Sequence, residues 1–565
     1  MTDAALPRMT HRQVLEAISG LLLAMFTSMM ANTIVGTSLP IIVPDLGGTQ
    51  THYTWVVTAA LLTTAISTPI WGKLADLTDR KALILVALGF FLVASAAAGF
   101  AQTPEVLIAA RAFQGIGAGG VAALSQVIMA DIISPRERGR YMGLFGVVLG
   151  VSTVGGPIIG GLLTDTVGWH WNFFVGIPLG LIAFLVIVKT LKLAPRANRR
   201  VTIDYVGIVL LSVASSLLLI WVTNVKDYGW LSLETALMVG GAILATALFI
   251  WVETRATEPV VPLSLFRNRT FTLSVLASIS IGVAMFGTAV YLGQYFQMAR
   301  GFDPTGAGLM TIPMAAGLLI MSTLVGQLVT RYGAWKSYLV VGAVVMTLGN
   351  VLLATLTHDT PLVLVGVYMF LLGAGMGMTM QNLVLVVQNT AKPEEMGVAS
   401  SGVNFFRTIG GTAGVAVIGS VLASSMADQL ARRGHELMDA IAGLGPRGAR
   451  IAELFASGTM PIARELPESV RVIVEEVAAT SIAHAFLIGV PLGILSLIAI
   501  CFLPNIPLGR KNNAERLQER EAAKLTEAEE ALGRAGAVSV AATGAIPLVG
   551  EAPGQEDTAR EGREG

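Results

Sequence analysis

Residues 72–81 read Gly-Lys-Leu-Ala-Asp-Leu-Thr-Asp-Arg-Lys, a short polar stretch between two long apolar ones. The apolar segments lie near 53–73 and 82–102, and each is close to the roughly 20 residues that an α-helix needs to cross a bilayer. The polar stretch carries three basic residues, the type that collects in cytoplasmic loops. This pattern predicts two membrane-spanning helices joined by a tight inner loop.

The composition of the whole chain agrees with a membrane protein. Of its 565 residues, 54% are hydrophobic and 13% are charged, whereas a soluble domain carries about 25% charged residues. The 37 basic and 37 acidic residues cancel, so no basic excess indicates nucleic-acid binding. The single cysteine, Cys501, excludes an intrachain disulfide framework and a cysteine-rich metal site. We therefore predict an all-α polytopic membrane protein with no metal and no cofactor.

Fourteen apolar segments are long enough to span a membrane. They lie near 16–39, 53–73, 82–102, 104–130, 140–163, 171–191, 204–224, 233–253, 270–297, 305–330, 336–356, 361–388, 399–424 and 480–503. The first is expected to end at Pro40 and to stay uncleaved, because no clear small-residue cleavage site flanks it. An even number of spans places both termini on the same side of the membrane.

The loop charges indicate that this side is the cytoplasm. The short loops on the side of the termini hold nineteen basic residues, against only Lys226 and Arg300 on the other side. The nineteen are Arg8, Arg12, Lys73, Arg80, Lys81, Arg136, Arg138, Arg140, Lys189, Lys192, Arg196, Arg199, Arg200, Arg255, Arg267, Arg269, Arg331, Lys336 and Lys392. We expect a multi-pass protein of the cell (inner) membrane with both termini in the cytoplasm.

An internal repeat predicts two similar halves. Gly72 and Gly326 each open a Gly-x-Leu sequence at the inner end of a helix, and the same offset separates Gly156 in helix 5 from Gly410 in helix 13. The predicted parts are a cytoplasmic N-terminus (1–11), a six-helix bundle (12–191), an inserted helix pair (203–253), a second six-helix bundle (270–503) and a cytoplasmic tail (504–565).

Two long polar segments fall outside the helices. Residues 425–479 lie on the outer side between helices 13 and 14, and they read equally well as a partly helical cap or as a plain solvated loop. The tail is predicted to be helical near 513–534 and disordered beyond it, because its composition is too polar to bury a core.

The stretch 72–81 closely resembles the signature loop of the major facilitator superfamily. Its Gly-x-Leu-Ala-Asp core matches, whereas Leu77 and Asp79 replace a basic residue and a glycine that are common there. In that family the loop helps to lock the inner side shut. The resemblance implies an inner gate made by Gly72, Asp76, Arg80, Lys81 and Asp131.

Two contacts within this gate follow from the resemblance. Asp76 would face the N-terminus of helix 13, where the helix dipole favours an anion. Arg80 would pair with Asp131 at the inner end of helix 4. Asp131 is also the first proton-coupling candidate, because a moving arginine would change its proton affinity; a permanent salt bridge is the other interpretation.

Helix 4 resembles a second superfamily motif, which includes Arg111 and Gln114. An arginine inside an apolar helix is costly, so Arg111 is either functional or snorkels toward the outer interface. Glycines 115, 117 and 120 also spell Gly-x-Gly-x-x-Gly. No strand precedes them, so helix packing explains them better than nucleotide binding does.

Helix 5 resembles the motif that marks antiporters within the superfamily. The motif consists of Ser152, Gly156, Pro157, Gly160 and Gly161, with serine at the first position where glycine is usual. Proline kinks a helix, and glycines let a neighbouring backbone approach closely. In the family this bend is associated with closing the outer side; a generic packing face is the alternative.

The ends of helices 1 and 2 and the inserted helix pair resemble the fourteen-spanner drug:proton antiporter family, of the EmrB/QacA type. The resemblance covers about residues 12–424 and helix 14, and it implies multidrug efflux by alternating access in exchange for protons. The family often carries an aspartate in helix 1, and Ala31 stands at that position here. The usual carboxylate for proton coupling is therefore missing.

Polar and aromatic residues are predicted to line a substrate cavity between the halves. They are Asn32, Arg111, Gln114, Tyr291, Gln294, Tyr295, Gln381, Asn382, Asn404 and Arg407. Two buried arginines and few buried acids favour neutral or anionic amphipathic substrates over cations.

Three functions compete on this evidence. The first is a proton-driven exporter of hydrophobic or amphipathic compounds, and the second is an exporter dedicated to an endogenous lipid or secondary metabolite. The third is a membrane receptor or scaffold without transport. The expected partners are small hydrophobic or amphipathic substrates, protons and membrane lipids, and no nucleic acid. No catalytic constellation and no phosphate loop is visible, so neither an enzyme nor an ATP-driven pump is predicted.

Overall fold

The fold is known from a computed structural model. It describes residues 11–48, 50–193, 204–229, 231–302, 304–445, 448, 451, 466–520, 522–523 and 526–527. Regular structure within these residues is helical, and no β-strand occurs among them. In the same residues fourteen helical spans are long and apolar enough to cross a membrane, which confirms the predicted count.

The first thirteen spanning helices keep the numbers of the predicted segments. They are α1 (His11–Asp45), α2 (Gln50–Leu77), α3 (Arg80–Gly99), α4 (Pro104–Ile132), α5 (Pro135–Thr166), α6 (Gly176–Thr190), α7 (Tyr205–Tyr228), α8 (Leu233–Glu253), α9 (Arg269–Gln294), α10 (Ile312–Tyr332), α11 (Lys336–Leu353), α12 (Leu362–Thr390) and α13 (Met396–Arg432). The fourteenth span consists of α14 (Glu468–Phe486) and α15 (Gly489–Cys501). Shorter helices are Trp171–Phe174, Leu263–Arg267, Tyr295–Ala299, Pro304–Leu309, Pro393–Glu395 and Gly434–Ala442.

Capping residues explain where three of the helices begin. Asp79 accepts a hydrogen bond from the backbone N–H of Ala82 and caps α3. Thr103 and Ser134 cap α4 and α5, and each is followed by a proline. Proline suits the first helical position because that position has no use for an N–H donor. Asp79, which replaces a common glycine, therefore starts the helix that follows the signature loop.

Two features of the helix boundaries differ from the prediction. Helix α1 continues to Asp45, so the expectation that it ends at Pro40 is wrong. A proline removes one backbone donor, and membrane helices tolerate this loss because neighbouring groups satisfy the freed carbonyl. The last span was predicted as one helix, but it is divided in two, since α14 ends at Phe486 and α15 begins at Gly489.

The packing of the helices repeats in two sets. In the first set α1 packs against α5 and α6, α2 packs against α4, and α3 packs against α4 and α6. The equivalent pairs of the second set are α9–α13, α9–α15, α10–α12, α11–α12 and α11–α15. We call α1–α6 the N-terminal half and α9–α15 the C-terminal half. The inserted helices α7 and α8 pack on each other, and α7 also contacts α2 and α13, where the halves meet.

The segment between α13 and α14, predicted to lie on the outer side, contains the short helix Gly434–Ala442 in its described part. Leu437, Ile441, Val470 and Val474 belong to one apolar cluster that joins the short helix Gly434–Ala442 to α14. This arrangement favours the partly helical cap over the plain loop. In the tail, residues 513–520 are helical. The predicted disorder beyond 534 lies outside the described residues.

Candidate functional site

Asp76, at the end of α2, connects the two halves. Its carboxylate accepts hydrogen bonds from the backbone N–H groups of Gly397 (2.8 Å) and Val398 (3.0 Å), in the first turn of α13. The amides at a helix N-terminus have no partner within the helix and favour an anion. Arg80 donates to Asp76 at 3.0 Å and also pairs with Asp131. Both contacts implied by the resemblance are present in the structure.

Gly72 allows α2 to touch α13. A methyl group placed on Gly72 would lie 2.0 Å from Ser401 Oγ and 2.8 Å from the carbonyl oxygen of Gly397. A larger residue would therefore push the two helices apart at this end, which we call the inner end. Lys81 takes no part in this contact, because its Nζ donates to the carbonyl oxygen of Val188 at 2.8 Å, within the N-terminal half.

A second layer of hydrogen bonds crosses the halves next to this loop. The fully buried Arg138 donates from Nη1 to Gln388 Oε1. Gln388 donates from Nε2 to the carbonyl oxygen of Gln126 at 3.3 Å, and Asn404 donates from Nδ2 to Gln126 Oε1 at 3.0 Å. From the sequence, Arg138 was predicted only as one loop charge among many. The neighbouring residues in the sequence do not indicate that a basic residue of a charged loop is buried.

Residues 506–513, which follow the last helix, add a connection at the same end. Asn513 is 1% exposed, and its Nδ2 donates to Asp131 Oδ1 at 3.0 Å, in the N-terminal half. Trp335 of the C-terminal half donates from Nε1 to the carbonyl oxygen of Ile506 at 2.8 Å. The segment thus bonds to both halves. Sequence reasoning missed it because the partners are 382 and 171 residues apart along the chain.

These contacts close the inner end of the molecule. We call their side chains and backbone groups the inner network. It consists of Gly72, Asp76, Arg80, Gln126, Asp131, Arg138, Gln388, Gly397, Val398, Asn404 and Asn513.

Arg111 differs from the inner network because its partners all lie in its own half. Its Nη2 donates to Asn32 Oδ1 at 3.0 Å, and its Nη1 donates to Gln114 Oε1. Gln114 donates in turn to Ser95 Oγ at 2.8 Å. Arg111 is 3% exposed, so it does not snorkel to the surface. Arg111, Asn32, Gln114 and Ser95 form what we call the Arg111 cluster.

Arg407 is connected to the inner network. Its Nη1 donates to Asn404 Oδ1 at 3.1 Å and its Nη2 donates to the carbonyl oxygen of Met380 at 3.0 Å. Its Nε is enclosed and has no acceptor among the described residues. Asn404 also contacts Gln126 of the other half. A change at Arg407 is therefore transmitted to a contact between the halves.

The other predicted cavity residues fall into two groups. Tyr291 and Tyr295 donate their hydroxyl groups to backbone carbonyls within the C-terminal half. Gln381 Oε1 and Asn382 Oδ1 are enclosed, and neither accepts a hydrogen bond within the described part of the chain. Gln294 is half-buried. Gln381 and Asn382 thus keep acceptor capacity that a ligand donor could use.

The helix 5 motif joins α1 to α5 inside the N-terminal half. A methyl group on Gly156 would lie 2.0 Å from Thr33 Oγ1, and Thr33 donates to the carbonyl oxygen of Ser152 at 2.9 Å. Helix α5 runs through residue 157 without interruption. A methyl group on Gly161 would meet nothing within 4 Å, so packing does not require glycine there.

The glycines of α4 serve helix packing. A methyl group on Gly115 would lie 2.3 Å from the carbonyl oxygen of Ala60 in α2, and one on Gly117 would lie 2.6 Å from the backbone nitrogen of Phe91 in α3. The Gly-x-Gly-x-x-Gly spacing therefore reflects close contact with two neighbouring helices.

Comparison with known proteins gives consistent matches. Residues 21–415 match a family model described as Major Facilitator Superfamily. The chain is 37% identical over 406 residues to multidrug transporter protein MdtP of Bacillus subtilis, which covers 72% of this chain and 74% of that one. It is 32% identical over 497 residues to multidrug resistance protein 3 of the same organism, with coverages of 86% and 94%. Its fold resembles the crystal structure of the human organic anion transporter MFSD10, with a TM-score of 0.55 and 14% identity over 85% of this chain and 99% of that one.

Proposed function

The chain belongs to the major facilitator superfamily, and we propose that it exports hydrophobic or amphipathic compounds as a proton-coupled antiporter. One observation carries the proposal: hydrogen bonds between the two halves converge on the signature loop at the inner end. Two relatives named for multidrug transport and multidrug resistance support the substrate class.

The inner network has the strength expected of a gate that opens and closes. A charge-assisted hydrogen bond contributes about 1.5–3 kcal/mol and a neutral one about 0.5–1.5 kcal/mol. A handful of such bonds amounts to several kcal/mol, which is the size of conformational equilibria that ligands can shift. The bonds inside each half need not change when the halves separate. Rocking of one half against the other gives alternating access.

We place the substrate between the halves, near Asn404, Arg407, Gln381 and Asn382. The two amides offer enclosed acceptors, and Arg407 supplies a cation, so the site suits neutral or anionic amphipathic compounds. Asp131 is the proposed proton-coupling residue. When the inner network opens, Asp76 loses the two backbone N–H groups of α13 and competes more strongly for Arg80, which it shares with Asp131. Loss of a neighbouring cation favours protonation of a carboxylate.

The proposal also includes the topology of the chain in the membrane and the parts that move. Both termini lie in the cytoplasm, and the protein resides in the cell (inner) membrane. The bundles 12–191 and 270–503 are the parts that move, and the inserted pair 203–253 lies beside the seam between them. The helix 5 motif contributes to closing the outer side.

Reconstitution in liposomes tests this function. Purified protein is given an imposed pH gradient and a panel of dyes and lipids, and both substrate movement and proton flux are recorded. The proposal predicts substrate-dependent proton flux that Asp131→Asn abolishes, with Asp359→Asn as a control that removes an exposed carboxylate. Substrate transport that does not depend on the pH gradient would contradict the proposed proton coupling.

A dedicated exporter of an endogenous lipid or secondary metabolite is the second candidate. It is favoured by the outer segment, whose short helix Gly434–Ala442 packs on α14 through an apolar cluster and adds structure between the last two spans. In the same assay this function predicts movement of a single lipid or metabolite class and no response to dyes. A receptor or scaffold would move none of the compounds, and the inner network argues against it because it leaves a breakable contact between two halves.

A further inference from the structure

Five basic residues lie at the inner end, where α5 packs against α10. Arg136 and Arg140 belong to the first turns of α5, Arg331 and Lys336 stand on either side of the turn between α10 and α11, and Arg510 follows the last span. The preference of basic residues for inner loops explains their side of the membrane. It does not explain why three separate segments bring them together. We call these five residues the basic patch.

Two contacts hold the start of α5 against the end of α10. The backbone nitrogen of Arg140 donates to Thr330 Oγ1 at 2.9 Å, one residue before Arg331. Gly333 ends α10 with a φ of 73°, a left-handed conformation that suits glycine. A methyl group placed on Gly333 would lie 3.8 Å from Arg136 Cζ. The guanidinium group of Arg136 therefore lies against the turn that follows Arg331.

The segment after the last span joins the same place. The backbone nitrogen of Arg136 donates to the carbonyl oxygen of Gly509 at 3.1 Å. Trp335, in the turn between α10 and α11, donates from Nε1 to the carbonyl oxygen of Ile506 at 2.8 Å. Arg510, which is exposed and directly follows Gly509, is thus held beside both α5 and that turn.

The basic patch has a large excess of positive charge. Among the described residues, none of its five side chains forms an ion pair with a carboxylate. Residues 312–353 and 502–514 contain no aspartate or glutamate. Glu137, the acidic residue near the start of α5, accepts a hydrogen bond from Ser134 Oγ at 3.2 Å. Neighbouring like charges repel each other, so the patch favours an anion supplied from outside the chain.

The surroundings of the patch indicate a lipid as the source of this anion. Leu324 and Tyr332 on α10 and Val151 on α5 are exposed apolar side chains of spanning helices. The guanidinium carbon of Arg331 lies 5.4 Å from the centre of the Tyr332 ring. Tyrosine is typical of the boundary between membrane and water, and basic pockets between spanning helices on the cytoplasmic side bind anionic headgroups. A lipid at this position has its acyl chains along α5 and α10 and its headgroup at the patch.

We propose that the basic patch binds the phosphate headgroup of an anionic phospholipid. Arg136 and Arg331 supply guanidinium groups, whose paired N–H donors match two oxygens of a phosphate. The other three residues add positive charge around it. The headgroup contacts both halves, because α5 belongs to the N-terminal half and the turn after α10 to the C-terminal half. Its assignment to the cytoplasmic leaflet rests on the proposed topology.

The position of this lipid across the seam links it to the gate. The basic patch is complete only while α5 stays beside α10 at the inner end. A ligand that binds one conformation more tightly shifts the equilibrium toward that conformation, so a bound anionic lipid stabilises the closed inner end. This consequence rests on the proposed function, whereas binding of the lipid does not.

Native mass spectrometry of the purified full-length protein in detergent tests the lipid site directly. It resolves protein with and without a bound lipid, and it needs neither a substrate nor a pH gradient. Phosphatidylglycerol should bind at least tenfold more tightly than phosphatidylcholine, whose headgroup has no net charge. An excess of inorganic phosphate should not displace phosphatidylglycerol, because the lipid also binds through its acyl chains.

Neutralising the patch should remove this selectivity. The triple variant Arg136→Gln, Arg331→Gln and Lys336→Gln should bind phosphatidylglycerol about a hundredfold more weakly, because each basic residue near an anionic headgroup strengthens binding about fivefold. Binding of phosphatidylcholine should change little, since it does not depend on the excess charge.

A matched control removes the same charge from other helices at the predicted inner side. It combines Lys189→Gln, Lys192→Gln and Arg255→Gln, and it should retain tight binding of phosphatidylglycerol. If the triple variant is not monodisperse, Arg331→Gln with Arg510→Gln replaces it, because both side chains are exposed; a loss of about 25-fold is then expected.

Three results would overturn the proposal. They are binding of phosphatidylglycerol no tighter than that of phosphatidylcholine, an equal loss in the patch variant and the control, and displacement of the lipid by inorganic phosphate. Transport is not measured in this experiment, so failure of the lipid site and failure of the proposed function are distinguishable.

Discussion

The inner network and the Arg111 cluster are both polar and buried, yet only the first joins the two halves. Asp76 and Arg138 each form at least one hydrogen bond across the seam, to α13 and α12 respectively. Arg111 instead bonds to groups of its own half, on α1 and α4. Burial of a charge therefore does not by itself identify a moving part. The position of its partners, in the same half or in the other, decides whether a movement of the halves breaks the interaction.

A cysteine reporter makes this difference measurable. Ala130 is fully buried between the halves, in a cluster with residues of α9, α12 and α13. Cys501 is the single native cysteine, so Ala130→Cys in a Cys501→Ala background carries one thiol. Its labelling rate should follow the fraction of molecules whose inner end is open.

Asp76→Ala should give the largest increase in labelling. The substitution removes the acceptor of two backbone N–H groups of α13 and a partner of Arg80. Two charge-assisted bonds of about 1.5 kcal/mol each correspond to an increase of about a hundredfold. Lys81→Gln lies in the same loop but bonds only within the N-terminal half, and it should leave the rate unchanged. Equal rates in the two variants would contradict the comparison.

Arg138→Met should raise labelling about tenfold, and Gln388→Leu should raise it further because Gln388 also donates to the carbonyl oxygen of Gln126 across the seam. Both remove the same hydrogen bond across the seam, and a bond to a charged group contributes about 1.5–3 kcal/mol. The increase in labelling rate in the double variant should be smaller than the product of the two single increases, because the effects of two partners in one bond are not additive. Multiplicative effects would show that the two residues act on different contacts.

Asn513→Ala should raise labelling by about tenfold, the effect of about 1.5 kcal/mol for a hydrogen bond to a charged group. The contact that it removes joins the segment after the last helix to Asp131. Asn513→Asp should have a larger effect, since it places a second carboxylate beside Asp131. An unchanged rate in both variants would limit the inner network to the transmembrane helices.

Arg111→Ala should have the smallest effect on labelling and should leave the rate unchanged. It deprives Asn32 and Gln114 of a donor inside one half, so we expect a lower melting temperature and reduced export from a protein that still folds. Arg407→Ala should also reduce export but raise labelling slightly, because Asn404 loses a partner that helps to position it against Gln126. Labelling of Arg111→Ala at the level of Asp76→Ala would break the distinction between the two regions.

The sequence predicted the membrane helices well and the inner network only in part. A membrane span is recognised from the composition of about twenty consecutive residues. Because this is a local property, all fourteen spans could be counted from the sequence. Asp76 and Arg80 were found because their motif is contiguous. Arg138 and Asn513 were not, because an arginine in a charged loop and an asparagine in a polar tail carry no sign of a partner far along the chain.

The ends of α1 and α8 also show features that the local sequence does not predict. Pro40 predicts a helix end by its missing donor, yet α1 continues to Asp45. A membrane helix tolerates proline where neighbouring groups satisfy the freed carbonyl. Glu253 reads as an ordinary charged residue at the end of a span. Its burial follows from the turn of the chain at Val260 and Val261, which brings two amides to its carboxylate.

A crosslink across the inner end tests whether transport requires the two halves to separate there. The backbone nitrogen of Arg140 in α5 donates to Thr330 Oγ1 in α10 at 2.9 Å, so these two positions lie side by side on opposite halves. Arg140→Cys with Thr330→Cys, in the Cys501→Ala background, can be joined by a short thiol crosslinker after reconstitution. We expect that crosslinked protein does not transport and that cleavage of a reducible crosslinker restores transport. Full transport by completely crosslinked protein would show that the inner end need not open, and the inner network would then not be a gate.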